Sequence, residues 1–243
     1  MDAERLVVSE RFCGPPGAGN GGYVAGLVAQ RLGGRAEVTL RRPTPVEAPL
    51  SLCRGEDGWR LESADDGAVL VEGRETEPVL ARLAIPPVPD FDAALAASRW
   101  TPSQHPYPHC FVCGPARRAG DGLRIFSGPL SCEHAGVVAG AWVPDASLAA
   151  PDAPDRVEPL FVWSALDCPG ALVVIAESPR PLLLARMVGE VAGSVHVGER
   201  CVVVGWRIAQ EGRKHWSGTA LYGEDGALRG ASEQLWIEPR AAA

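Results

Sequence analysis

Hydrophobic and polar positions along the chain fall into two apolar runs, each followed by a series of short alternating segments. The longer run is Pro159–Glu177, PLFVWSALDCPGALVVIAE. It is apolar on nearly every side and too long for an ordinary strand, which predicts a buried helix. The shorter is Tyr23–Leu32, which opens from the turn-rich segment Cys13–Gly22. Asn20 is placed to cap this helix and Gly33-Gly34 to stop it.

Strands are predicted after the first run at Ala36–Arg42, Leu50–Arg54, Trp59–Ser63 and Ala68–Glu75, separated by Pro-rich or Asp-Gly turns. After the second run they are predicted at Leu182–Val195, Arg200–Ala209, His215–Tyr222 and Ala227–Ile237. Leu6–Phe12, Leu123–Phe126 and Gly136–Trp142 also read as strands, and Pro144–Glu158 as a polar loop. The tails of the halves match weakly: Trp59 precedes Asp66-Gly67-Ala68, as Trp216 precedes Asp225-Gly226-Ala227. Each half is therefore expected to be one buried helix followed by four antiparallel strands. A strongly curved antiparallel sheet is what can wrap a long apolar helix, so the fold class is α+β. Pro78–Pro108, rich in proline with a short Ala-rich piece at Asp92–Ser98, reads as the linker.

One residue breaks the apolar pattern of the longer run. Between Pro159 and Glu177 the single ionisable acid is Asp167. A carboxylate buried without a partner is costly, so its pKa rises or it is hydrogen-bonded. Pro169, two residues on, removes a helix hydrogen bond and crowds the carbonyl of Ala165, so a kink or break is expected there. A lone acid beside a kink in a greasy helix is a candidate site, and an Asp that caps a following segment or is satisfied by backbone is the plainer reading.

The totals narrow the partners. With 243 residues the chain can bury a substantial core as one large domain or two small ones. A net charge of −7 argues against nucleic acid and against an anionic membrane surface. No targeting segment and no membrane-spanning apolar run is evident, which points to a cytoplasmic protein. Seven cysteines, an odd number in a chain of this length, argue against a disulfide framework.

This plan, with its particular residues, resembles the hotdog fold, and the pair of halves resembles a double-hotdog acyl-CoA thioesterase. Asn20-Gly21-Gly22-Tyr23-Val24-Ala25-Gly26, followed by Val38–Pro43, is similar to the Gly-Gly helix start and next strand of thioesterase-like proteins. Cys110-Phe111-Val112-Cys113-Gly114, then Gly122-Leu123, is similar to the opening of phenylacetate-pathway type hotdog thioesterases. Leu166-Asp167 resembles the step in the hotdog helix where those enzymes keep their acid. The resemblance implies two tandem modules, 1–86 and 109–243, joined by a linker at 87–108, and a site between them. One module offers backbone N–H groups at its helix start, Gly21 and Gly22; the other offers Asp167. The first module carries Gln30 and Arg31 mid-helix in place of an acid, and the second begins its helix with Pro159, so one complete site per chain is expected.

The implied activity is hydrolysis of an acyl-CoA or acyl-carrier thioester, with no cofactor. Unpaired N–H groups at a helix start can hold a developing oxyanion, and glycine lets the acyl carbon approach the backbone. Asp167 would act as general base or as nucleophile. Asn20 would cap the helix or orient water. Tyr23, Trp163 and Gln234 are expected to contact the substrate. Type II acyl-CoA thioesterases use an Asp–Gln–Thr set; here the Ala-Ser spacing before Gln234 differs by one and no Thr partner is evident, so Gln234 reads more readily as a solvent-facing strand residue. The other class of function is a non-catalytic acyl-CoA-binding or ligand-sensing protein. A hydratase is disfavoured because Asp167 has no nearby His. A homodimer through sheet edges is the default assembly.

His105, His109, Cys110 and Cys113 form a short-spaced set that could bind zinc. There is no second C-x-x-C, and the resemblance implies a metal-free enzyme, so no metal is expected. Cys168, beside Asp167, could be a nucleophile, but free cysteines more often fill cores. His134, His196 and His215 read as surface or loop residues.

Overall fold

The structure, a computed structural model, describes residues 3–98, 100–130, 136–176 and 181–240. His134, one of the histidines read as a surface or loop residue, lies outside them. Two helices form the centre. α1 (Gly21–Ala29) continues into a 3₁₀ turn over Gln30–Leu32, and Gly33 (φ +71°) ends it in the left-handed conformation that glycine adopts without a side-chain clash. A short helix, α2 (Phe91–Ala96), lies within the segment expected to be a linker. The long apolar run forms α3 (Pro159–Ile175), with Pro159 in the first turn where its missing N–H costs nothing.

The strands are β1 (Glu4–Val7), β2 (Arg35–Leu40), β3 (Pro49–Arg54), β4 (Trp59–Ser63), β5 (Val69–Arg74), β6 (Gly128–Pro129) and β7 (Val137–Trp142). They continue with β8 (Ala149–Ala150), β9 (Ala153–Val157), β10 (Leu183–Val191), β11 (Cys201–Glu211), β12 (Lys214–Tyr222) and β13 (Leu228–Ile237). Eleven of them make one antiparallel sheet in the order β1-β3-β4-β5-β2-β10-β13-β12-β11-β7-β6. The strands that follow α1 and those that follow α3 join at β2 and β10, where Val38 faces Met187 and Ala36 faces Gly189. Both helices are buried: Val24, Ala25 and Val28 of α1 and Val162, Trp163 and Leu166 of α3 are at most 1 % exposed.

α1 and α3 cross in close contact because α1 carries glycine at two positions one turn apart. A Cβ on Gly22 would lie 2.6 Å from the carbonyl oxygen of Trp163, and one on Gly26 would lie 2.9 Å from that of Leu160. Only a hydrogen-sized side chain lets the backbones approach so far. Trp163 in turn lies on β10, where a Cβ on Gly189 would meet its ring at 2.7 Å.

Several expectations from the pattern need correction. α3 runs through Pro169 without a break. At that turn the helix rests on β11, where a Cβ on Gly205 would come 2.5 Å from the Pro169 carbonyl oxygen, and Gln234 Nε2 donates to the carbonyl of Leu166 at 2.6 Å. Tertiary contacts thus hold the turn that proline weakens locally. The first strand ends at Val7, and Glu10–Phe12 is a 3₁₀ turn capped by Ser9. Leu123–Phe126 is not a strand: Arg124 has φ +58°, and the segment instead bonds to the cysteine loop through Leu123 N–H to Phe111 O and Ile125 N–H to Val112 O. The loop expected over Pro144–Glu158 contains the β8–β9 hairpin.

Candidate active site

The N-terminus of α1 points at the middle of α3. Asn20 caps α1, its Oδ1 accepting from the Tyr23 N–H at 3.0 Å. Its Nδ2 donates to Asp167 Oδ2 at 2.6 Å, and the Gly22 N–H donates to the same oxygen at 2.9 Å. The carboxyl group is thus held by one oxygen. The other, Oδ1, is buried without a protein partner among the described residues. The Gly21 N–H likewise makes no hydrogen bond among them, as expected for the first amide of a helix.

The expected pair of oxyanion donors is therefore divided. Gly22 holds the acid, and Gly21 alone keeps an unengaged amide. Asp167 is 2 % exposed, and burial pushes its pKa up to about 7, opposed by the Gly22 and Asn20 donors and assisted by Cys110.

Asp167 and Gly21 both line one cavity of about 480 Å³. Both halves of the chain line it. Leu40 and Thr44 come from the first, and Leu172, Ile175, Leu184 and Trp236 from the second. Arg41 and Arg42 stand at it as well; both are exposed, and Arg41 pairs with Glu72. The lining is mostly apolar, but Thr44 and His105 also belong to it, and Thr44 Oγ1 and His105 Nε2 are buried without a partner among the described residues. His105 Nδ1 accepts from the Tyr107 N–H at 3.1 Å, so Nε2 carries the proton of the neutral ring; burial lowers its pKa and favours that neutral form.

Tyr23, Trp163 and Gln234, the expected substrate contacts, do not line this cavity. Tyr23 stacks on Phe12 with ring centroids 4.1 Å apart. Trp163 is buried against Gly189. Gln234 does not face solvent: it is 1 % exposed, and besides Leu166 it contacts Ser232 Oγ (3.0 Å), Thr219 Oγ1 (3.4 Å) and Trp236 Nε1 (2.8 Å). The Thr near Gln234 was not legible in the sequence because it arrives from the neighbouring strand, where Thr219 is paired with Ser232.

The helix ends have a second, unlike encounter. Glu158, at the N-cap of α3, accepts from Gln30 Nε2 at 2.9 Å. Each helix start thus faces a residue of the other helical segment, with Asn20 opposite Asp167 at the middle of α3 and Glu158 opposite Gln30 at the end of α1.

Two cysteine-bearing elements meet at the cavity. Cys110, Cys113 and Cys168 all line it, and their sulfur atoms lie within 4.8 Å of one another. His109 is exposed and outside the trio. The set His105, His109, Cys110 and Cys113 suggested by spacing is therefore not assembled; Cys168 of α3 joins the two loop cysteines instead.

No family model matches the chain, and no curated protein matches it in sequence. Solved structures do match in shape. A conserved protein of unknown function with a hot dog fold from Alicyclobacillus acidocaldarius aligns with 98 % of this chain and 93 % of its own, at 13 % identity and a TM-score of 0.64. A tesB protein of Mycobacterium avium subs paratuberculosis aligns with 98 % of this chain and 96 % of its own, at 15 % identity and 0.60. A proposed thioesterase from Novosphingobium aromaticivorans aligns over 97 % and 94 %, at 15 % identity and 0.56.

Proposed function

We propose that this chain, which has the hotdog fold, is a thioester hydrolase acting on acyl-CoA or acyl-carrier substrates, with Asp167 as its acid–base or nucleophilic group. The observation that carries this reading is the carboxyl of Asp167, held by Asn20 and Gly22 through one oxygen while the other has no partner among the described residues, in a residue that lines an apolar cavity together with Gly21. An acyl chain suits the apolar lining, and a thioester carbonyl suits a lone helix-start N–H.

In this reading the Gly21 N–H takes the carbonyl oxygen. A water deprotonated by Asp167 Oδ1 adds to the carbonyl carbon, the C–S bond breaks, and the proton held by Asp167 passes to the departing thiolate. Direct attack by Asp167 would instead form a mixed anhydride that water then opens. Single-turnover hydrolysis in ¹⁸O-water tests the second route: label incorporated into Asp167 with release of unlabelled acid marks an anhydride opened at its aspartyl carbonyl, which a water nucleophile cannot produce.

The strand order is the same outward from the β2–β10 junction in either direction, with β5, β4, β3 and β1 on one side matched by β13, β12, β11 and β7 on the other. This supports two tandem hotdog modules, 1–86 and 109–243, with 87–108 between them. Among the described residues only the Asn20–Asp167 encounter brings an acid to the cavity; the Glu158–Gln30 encounter is the inactive counterpart.

The test is thiol release from a panel of acyl-CoA esters by the purified chain and by Asp167→Ala. The proposal expects turnover that the substitution abolishes in a folded protein. Binding of acyl-CoA without any turnover would instead favour a ligand-sensing protein.

A further inference from the structure

We propose that Cys110, Cys113 and Cys168 form a binding site for a thiophilic divalent cation of the zinc class, its fourth position open to the cavity that all three line. This goes beyond the hydrolase reading and does not depend on it.

The first support is the shape of the loop. The Gly114 N–H closes the turn on the Cys110 carbonyl at 2.9 Å. A Cβ on Gly114 would lie 2.4 Å from that carbonyl oxygen, so the turn is closed tightly enough to require glycine. This tight C-x-x-C-G turn brings both of its cysteines to the cavity, with their sulfurs within 4.8 Å of each other.

The second support is the third sulfur. Cys168 Sγ lies 3.6 Å from Cys110 Sγ, and all three sulfurs fall within 4.8 Å of one another. Zinc bound tetrahedrally at about 2.3 Å from each thiolate spaces sulfurs about 3.8 Å apart. The Cys110–Cys168 separation is thus close to one edge of such a site, and Cys113 lies within 4.8 Å of both sulfurs. It draws on two separate elements, a loop and α3, which is the way a metal ties non-local segments together.

The third support lies around the sulfurs. Asn20 Nδ2 is 3.9 Å from both Cys110 Sγ and Cys168 Sγ, offering N–H dipole to the charge that three thiolates would bring. Asp167, 2 % exposed, lines the same cavity but stands outside the trio, so the fourth position is left to a solvent or ligand atom from the cavity. On binding, each thiol would release its proton to solvent as its sulfur–metal bond forms. A disulfide between Cys110 and Cys168 is the competing use of the same contact, but it would leave Cys113 out.

Cobalt(II) titration of the full chain, kept reduced with a phosphine, tests the site. The expected result is a thiolate-to-cobalt charge-transfer band in the near ultraviolet that saturates at one ion per chain and is displaced by zinc. Cys113→Ser and Cys168→Ser should each weaken zinc binding on the order of a hundredfold, while His109→Ala leaves it unchanged. The wild-type spectrum needs no variant to fold. No thiolate band at saturating cobalt, or one unchanged in Cys168→Ser, overturns the proposal. So does a Cys110–Cys168 disulfide found by mass spectrometry in chain purified with zinc present. Failure of thioester hydrolysis would leave the spectrum untouched, so the two proposals fail separately.

Discussion

Gly22 meets Asp167 in two ways: its N–H donates to Asp167 Oδ2 at 2.9 Å, and a Cβ placed on it would lie 2.6 Å from the Cβ of Asp167. One residue thus supplies both a donor to the acid and the space the acid occupies. The crossing of α1 and α3 and the placement of the carboxyl group are the same feature, so changes at this point read out on stability and on chemistry together.

Gly22→Ala should separate the helices. The added methyl would also press on the Trp163 carbonyl oxygen at 2.6 Å, which is backbone and cannot swing aside. Overpacking of this kind costs about 1–3 kcal/mol or more. Urea denaturation should show the loss; an unchanged midpoint would mean that the crossing is looser than described.

Gly21→Pro removes the proposed oxyanion donor at a position that tolerates proline. Gly21 is the first residue of α1, and Asn20 before it already has the extended conformation (φ −59°, ψ 134°) that a following proline requires. The ring would press on Leu184 Cδ2, the end of a flexible side chain. The expected outcome is a kcat lower by about 100- to 1000-fold with nearly native thermal stability. Full activity would show that the carbonyl is held elsewhere.

Asp167 links stability to pH. Its folded pKa of about 7 stands above the ordinary 3.8, because burial disfavours the charged form. The folded chain therefore holds a proton that the unfolded chain releases between these values. The contribution is complete below the ordinary pKa, declines as pH rises, and is lost above about 7. Denaturation from pH 4 to 8 should show this decline, and Asp167→Asn should remove it. A matching slope in the variant would assign the effect to other groups. In chelator-treated, reduced protein, hydrolysis should rise through the same upper pKa, since the base must be ionised to act.

Gln234→Leu tests the support of α3. The glutamine donates to the Leu166 carbonyl and accepts from Trp236 Nε1, both buried. Leucine would orphan both groups, at about 1–3 kcal/mol each. A fall in melting temperature with acyl-CoA affinity retained is expected, because the side chain does not line the cavity. Lost affinity in a stably folded variant would instead return Gln234 to the substrate site.

The sequence by itself determined the two buried helices, the four strands after each, and the singular acid. These are local properties: apolar density, period-two alternation and turn chemistry act between neighbours in the chain. It also marked Asn20 as a cap, since that bond spans only three residues. Tertiary structure alone decided what the marked residues do. The contact from Asn20 to Asp167 spans 147 positions, and the one from Cys110 to Cys168 spans 58. No periodicity reports such distances. The same limit explains the errors. Pro169 weakens a helix in isolation but not one braced by Gly205 and Gln234, and the polar alternation of β13 cannot reveal that Gln234 faces a helix rather than water. Packing between distant segments set the geometry of the site, because a helix start becomes a site only when something is placed opposite it.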